Sequence, residues 1–279
     1  MWYLLFSILC SSAIFIVFKV FENYKINTFQ AIIVNYFTAF TIGITTHKNE
    51  INYLDIPDKP WFFGALLLAS LFIIVFNLMA ITSQKNGVSV AAVAGKMAVI
   101  IPVVFGILLY NEEVSLIKIV GVLIGLCAVY LITLKENVKK GTLIFPLLLF
   151  FGAGIIDTLI KYIQSNYVNS NETNLFSGVL FGIAGVLGVI VYCIKPKAIK
   201  LKNIISGIAL GIINYYSIYY ILKALENKNM QSAIVFSINN ISIVAICTLL
   251  GLFVFKEKLT PKNWLGIGIA IISILLITL

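Results

Sequence analysis

The chain has 279 residues, 61% of them hydrophobic and 11% charged, with a mean hydropathy of +1.04. Soluble domains run at about 45 to 50% apolar and about 25% charged, so an ordinary water-soluble globule is excluded and a multi-pass protein of the cell membrane is indicated. The formal charge of +9 comes from twenty lysines without one arginine, a bias that a membrane face explains better than nucleic-acid binding does.

Ten apolar runs follow one another with short polar gaps, approximately at 2–21, 28–46, 60–83, 88–110, 115–134, 141–163, 172–194, 203–225, 230–255 and 260–279. Nearly all of the chain is therefore expected to be transmembrane helix, with no extramembrane domain. The first run lacks a basic n-region and an A-x-A-like cleavage site, so it reads as a first span rather than a removed signal peptide. It carries Lys19 near its end, where a long stem can reach interfacial water. Spans 2 and 3 hold Asn35, Tyr36 and Asn77, which can line a cavity or bond a neighbouring helix.

Span 4 holds Lys96, eight residues past Val88. At about 1.5 Å per residue it lies roughly 12 Å into a hydrocarbon layer about 30 Å thick, too deep for easy snorkelling. A charge there costs about 2.5 to 3.5 kcal/mol, so the ammonium should face protein or a wet cavity. Pro102 removes a backbone donor six residues later, and the helix is expected to bend or open there.

Span 6 supplies Gly154, Asp157 and Lys161 on one helical face. Asp157 is the one acidic residue inside a span core, which makes it the candidate for proton coupling or for meeting a substrate amine; the plainer reading is an internal pair with Lys161. In span 7, Gly178 and Gly182 form a small-xxx-small pair suited to close packing. Span 8 clusters Asn214, Tyr215 and Tyr216 at mid-span, while Tyr219, Tyr220 and Lys223 near its end fit an interfacial belt. Span 9 carries Asn239 and Asn240 in the region matching Lys96, and adjacent helical positions diverge, so at most one is expected to face a cavity unless the helix unwinds. Thr260 followed by Pro261 reads as an N-cap and first-turn proline for span 10, and Ser115 can cap span 5.

The four cysteines lie in apolar runs without C-x-x-C or metal spacing, so neither a disulfide frame nor a metal site is expected. His47 is the sole histidine and falls in a loop, and no carboxylates pair within the spans, which argues against an enzyme. No Walker A pattern or cofactor motif is present.

Asn111 to Leu134 aligns without gaps on Lys256 to Leu279, with seven identities that include Glu112 with Glu257 and Gly121 with Gly266. Lys19 falls on Lys161 when the halves are superposed, which sets Phe15 against Asp157. Each half has five spans, an odd number, so two inverted five-helix repeats are expected, 1–137 and 138–279. Ten spans as five plus five, a glutamate after spans 4 and 9, a Leu/Val-Ser/Thr step and a glycine-bearing last helix resemble the drug/metabolite transporter superfamily, EamA-type. That resemblance implies an all-α carrier working by alternating access, with a central cavity between the repeats and no cofactor. Glu112 and Glu257 belong to the resembled motif and read as structural.

The expected cargo is a small amino-acid-like molecule, organic anion or zwitterion; the alternative is a lipid or lipid headgroup moved by the same fold. Lys96, Asn239, Asn240, Asn214, Tyr215, Tyr216, Asn77, Lys19 and Lys161 are the candidate substrate contacts, and Asp157 the candidate coupling group. Expected partners are the small-molecule substrate and bilayer lipid, with the chain a monomer or homodimer in a bacterial cytoplasmic membrane. Loops on the terminus side carry five lysines and those on the other side twelve, so the positive-inside rule sets both termini outside, whereas the family resemblance implies termini in the cytoplasm.

Overall fold

The computed structural model describes residues 2–46, 53–110, 116–133, 143–169, 172–194, 196–225 and 232–278, and among them it is a helical bundle without strands. The helices are α1 (Trp2–Asn23), α2 (Thr28–Thr45), α3 (Phe62–Lys85), α4 (Val88–Met97), α5 (Ile100–Tyr110) and α6 (Leu116–Thr133). They continue as α7 (Ile144–Tyr167), α8 (Thr173–Ile194), α9 (Leu201–Leu225), α10 (Ser232–Phe253) and α11 (Pro261–Thr278). Among the described residues, stretches in α1, α2, α3, α4 with α5, α7, α8 and α9 are long and apolar enough to cross a bilayer, and α6, α10 and α11 hold shorter apolar stretches. Hydrocarbon offers no hydrogen bonds, so the backbone of such sequences must pair within each helix.

The fourth span is split in two. Pro102 has no N–H for the Ala98 carbonyl, and the bonding there tightens to Ile101 N–H on Ala98 O at 3.0 Å before Val103 N–H on Val99 O at 3.3 Å. Lys96 thus sits in the last turn of α4, beside the break.

Helix ends are tied across the bundle. Thr260 and Asn263 cap α11 reciprocally, Asn263 N–H donating to Thr260 Oγ1 at 3.3 Å and Thr260 N–H to Asn263 Oδ1 at 3.0 Å, with Pro261 first in the helix. The same Asn263 amide donates to Leu131 O and Ile132 O at the end of α6, at 3.3 and 3.0 Å. Ser115, Glu112 and His47 lie outside the described residues.

Glycines set the closest approaches. Gly178, Gly182 and Gly185 of α8 abut Ile44, Phe40 and Phe37 of α2, and an added Cβ would come within 3.3, 2.8 and 3.1 Å of them. Where α6 crosses α11, a Cβ on Gly121 would lie 3.1 Å from Ile277 N and one on Gly266 3.0 Å from Ile132 N. Each aligned glycine therefore bears on the aligned isoleucine of the other helix.

Candidate functional site

A cavity of about 840 Å³ lies between α1, α4, α5, α7, α9 and α10. Sites for small ligands span about 300 to 1,000 Å³, so its size suits a metabolite rather than a polymer. Five of the candidate residues meet on its wall: Lys96, Asp157, Lys161, Asn239 and Asn240. Lys96 is half-buried, whereas Asp157 and Lys161 are exposed. Among the described residues neither Lys96 nor Asp157 has a hydrogen-bond or ion-pair partner, although each feels the other's charge.

Local sequence explains these placements. Asp157, Lys161 and Gln164 recur at i, i+4 and i+7, one face of α7, and all three border the cavity. One turn before Asp157, a Cβ on Gly154 would overlap Ile101, so the glycine lets α7 lie close to α5 just past the break. On the opposite wall Ser7 Oγ lies 3.1 Å from Ser217 O and 3.3 Å from Asn239 Oδ1, joining α1, α9 and α10. Both Asn239 and Asn240 border the cavity while α10 stays unbroken, against the expectation of one at most. The chamber is wide enough to reach two positions about 100° apart on one helix.

The two ends of the cavity differ. Ser7 near the start of α1, Gln164 near the end of α7, Ile221 near the end of α9 and Phe236 near the start of α10 lie toward one end of the bundle. Toward the other end the wall of α1 turns aromatic: Phe15 rests against Gly95, and Phe18 packs edge-on to Phe76 of α3 at 5.7 Å. Beyond them Lys19 Nζ donates to Gln84 O of α3 at 2.6 Å and pairs with Glu22 at 2.7 Å. Glu257, in the connection from α10 to α11, caps α4: it accepts from Val88 N–H at 2.6 Å, Ser89 N–H at 3.4 Å and Ser89 Oγ–H at 2.9 Å. A carboxylate at a helix N-terminus meets both orphan amides and a favourable dipole. Gly87 just before it holds φ +109, which glycine adopts at no steric cost, and a Cβ there would strike this carboxylate at 2.8 Å.

The remaining candidates lie away from the cavity. Lys19 belongs to the closed end, and Asn77 Nδ2 donates to Ile73 O within its own helix at 2.8 Å. Asn214 is buried with its amide nitrogen unpaired among the described residues, as is the whole amide of Asn35. Tyr215 hydroxyl shares a 2.6 Å bond with Thr46, Tyr216 stacks on Tyr220, and Tyr36 donates to Phe72 O at 2.8 Å. Ser7, Ser11, Ser217 and Gln164 also line the cavity and are not among the residues that the sequence singles out. Gln164 was findable from its spacing to Asp157 and Lys161, whereas serine in an apolar helix usually bonds its own backbone and gives no signal.

The EamA-like transporter family model matches residues 1–134 and 140–279. An uncharacterized protein of Haemophilus influenzae (strain ATCC 51907 / DSM 11121 / KW20 / Rd) is 29% identical over 277 residues, which cover 95% of this chain and 93% of that protein. A crystal structure of another protein superposes with a TM-score of 0.61 at 12% identity, over 98% of each chain, a likeness of fold. With matches to the family over both halves and nearly the whole length, this chain belongs to the EamA-like transporter family of membrane proteins.

Proposed function

We propose that the chain is a secondary carrier that moves a small polar metabolite by alternating access through this cavity, between two inverted five-helix repeats at 1–137 and 138–279. The observation that carries the reading is Lys96 with Asp157, opposite charges that feel each other yet form no ion pair among the described residues, on the wall of a chamber whose other end is packed with Phe15 and Phe18. A charge at membrane depth is stable only beside water, a counter-charge or a bound solute. Inversion of the repeats is supported by the reciprocal contacts of Gly121 with Ile277 and Gly266 with Ile132, which a twofold axis in the membrane plane would generate. The same exchange of helices carries the packing of α1 on α9 and α10 into that of α7 on α3 and α4.

The lysine bias, five against twelve, puts the terminus side outside, so on this reading the open end faces the exterior of a cell membrane. Purified protein in liposomes, loaded with pooled metabolites and assayed for counterflow, tests the function. Uptake of a small solute that falls at least about tenfold in Lys96→Ala is expected. Absence of uptake for every solute class overturns the carrier reading, and headgroup-dependent lipid scrambling in the same vesicles would replace it with lipid translocation.

A further inference from the structure

We propose that an anionic phospholipid occupies the groove between α1 and α9 on the outer surface of the bundle, its phosphate held at Lys202 and Lys25 and one acyl chain laid along the groove. The site is separate from the central chamber, and the inference does not rest on the carrier reading. The groove encloses about 550 Å³ and is built from two helical faces. Val17, Val20 and Phe21 recur at i, i+3 and i+4 along α1, and Lys202, Ile205 and Ala209 at i, i+3 and i+7 along α9. Below Lys202 its walls are apolar but for Ser206.

The rim is positive without compensation. Lys202 Nζ donates to Tyr24 O at 2.9 Å, which pins the ammonium across the top of the groove and leaves two of its three N–H donors for a ligand. Lys25 follows Tyr24 directly and stands where α1 ends in a Schellman turn, with Ile26 N–H on Phe21 O at 2.9 Å and Lys25 N–H on Glu22 O at 3.1 Å. Its φ of +49 lies in the left-handed region that glycine favours, so the turn holds a lysine against backbone preference. Lys202 also lies in the first turn of α9, a helix of 25 residues whose positive end suits an anion. Among the described residues no carboxylate pairs with Lys25, Lys200 or Lys202, and Glu22, the acid nearest to Lys25 in sequence, is bonded to Lys19 at 2.7 Å.

These two halves name the occupant. A free phosphate would satisfy the rim and leave the apolar trough unanswered, whereas a zwitterionic lipid would bring its own cation against the lysines. A second copy of the chain packed by a twofold contact would set lysine against lysine. A phospholipid of net negative charge answers both halves at once, each lysine near a membrane surface adding about fivefold to its binding. On the lysine bias this is the cytoplasmic face, whose leaflet carries anionic lipid.

The test uses the full chain in detergent, with lipid binding read by native mass spectrometry and by thermal shift. Probes are dioleoyl phosphatidylglycerol, phosphatidylcholine with the same chains, and glycerol 3-phosphate as a headgroup without chains. Phosphatidylglycerol should bind at least about tenfold tighter than phosphatidylcholine, and glycerol 3-phosphate should give no shift. Lys25→Asn with Lys202→Gln should weaken phosphatidylglycerol about 25-fold, two steps of about fivefold. Lys258→Gln with Lys262→Gln, at the same end of the bundle but away from the groove, should leave it within about twofold. Ala209→Trp keeps every lysine and fills the trough, and should weaken binding about tenfold by excluding the chain, which keeps the inference testable should the lysine pair fold poorly. Equal binding of the two lipids, an equal shift with glycerol 3-phosphate, or an equal loss in the Lys258 and Lys262 pair overturns the site. So does a lipid-independent dimer that Ala209→Trp breaks.

Discussion

Along α1, Phe15, Phe18 and Lys19 hold the positions that Asp157, Ile160 and Lys161 hold along α7 when the halves are superposed on their lysines. The first set is shut: Phe18 is buried against Phe76, and Lys19 is bonded to Gln84 O at 2.6 Å. The second set lines the chamber. Equivalent stretches of one repeated design thus stand in opposite surroundings. Closure depends on what faces each stretch across the bundle: α3 packs on α1, whereas α9 faces α7 across the cavity.

Writing the closed pattern into the open helix should have the largest effect. Asp157→Phe is expected to fill the chamber and lower exchange at least about a hundredfold, by removing a charge from the site and adding a ring. A cysteine at Ser11, on the chamber wall, should lose its reactivity toward an impermeant thiol reagent in the same variant. Persistent reactivity would mean that the ring swings into lipid and the positions are not comparable.

Loosening the closed end comes next. Glu257→Gln replaces a charged acceptor of three bonds by a neutral one and should lower stability by about 1.5 to 3 kcal/mol, read as a drop in apparent Tm. The Ser11→Cys probe should then also react from the second face of the membrane. Lys19→Met should act in the same direction with a smaller loss, about 1 kcal/mol, because its pair with Glu22 is partly exposed. If neither variant changes labelling, the aromatic layer of Phe15 and Phe18 alone closes this end.

The smallest effect concerns polar ties that both ends keep. At one end Glu172 accepts from Lys59 at 2.7 Å and from the indole of buried Trp61 at 3.2 Å. At the other, Asn203 accepts from Asn27 N–H at 3.1 Å and donates to Gln30 Oε1 at 2.5 Å. The bond to Glu172 raises the Lys59 pKa above the ordinary lysine value, so the tie is complete at neutral pH and weakens only as pH climbs through the raised value. High salt should slightly lower the Tm of the wild type and leave that of Glu172→Gln unmoved, since the amide tie carries no charge.

The helices were legible because apolar runs of spanning length admit few other structures, and Pro102 announced its own break. Lys96, Asp157, Asn239 and Asn240 stood out because charge and amide are rare in such runs. The destinations of Tyr215 and Tyr216 were not legible: a tyrosine at mid-span serves a cavity wall or a neighbour equally, and Thr46, distant in sequence, decided for the neighbour. Lys19 was recognised as a residue near a helix end, but its acceptor, a carbonyl of α3, has no signature in sequence.

Glu257 lets one further property be read from the cap it forms on α4. The amides it covers belong to the first turn of a helix, at the membrane boundary rather than among acyl chains. Were that carboxylate to swing away, the bared N–H groups and the freed anion would both be hydrated, which would offset much of the attraction lost. On the carrier reading such a cap would serve as a latch, since water can take over both of its halves on release.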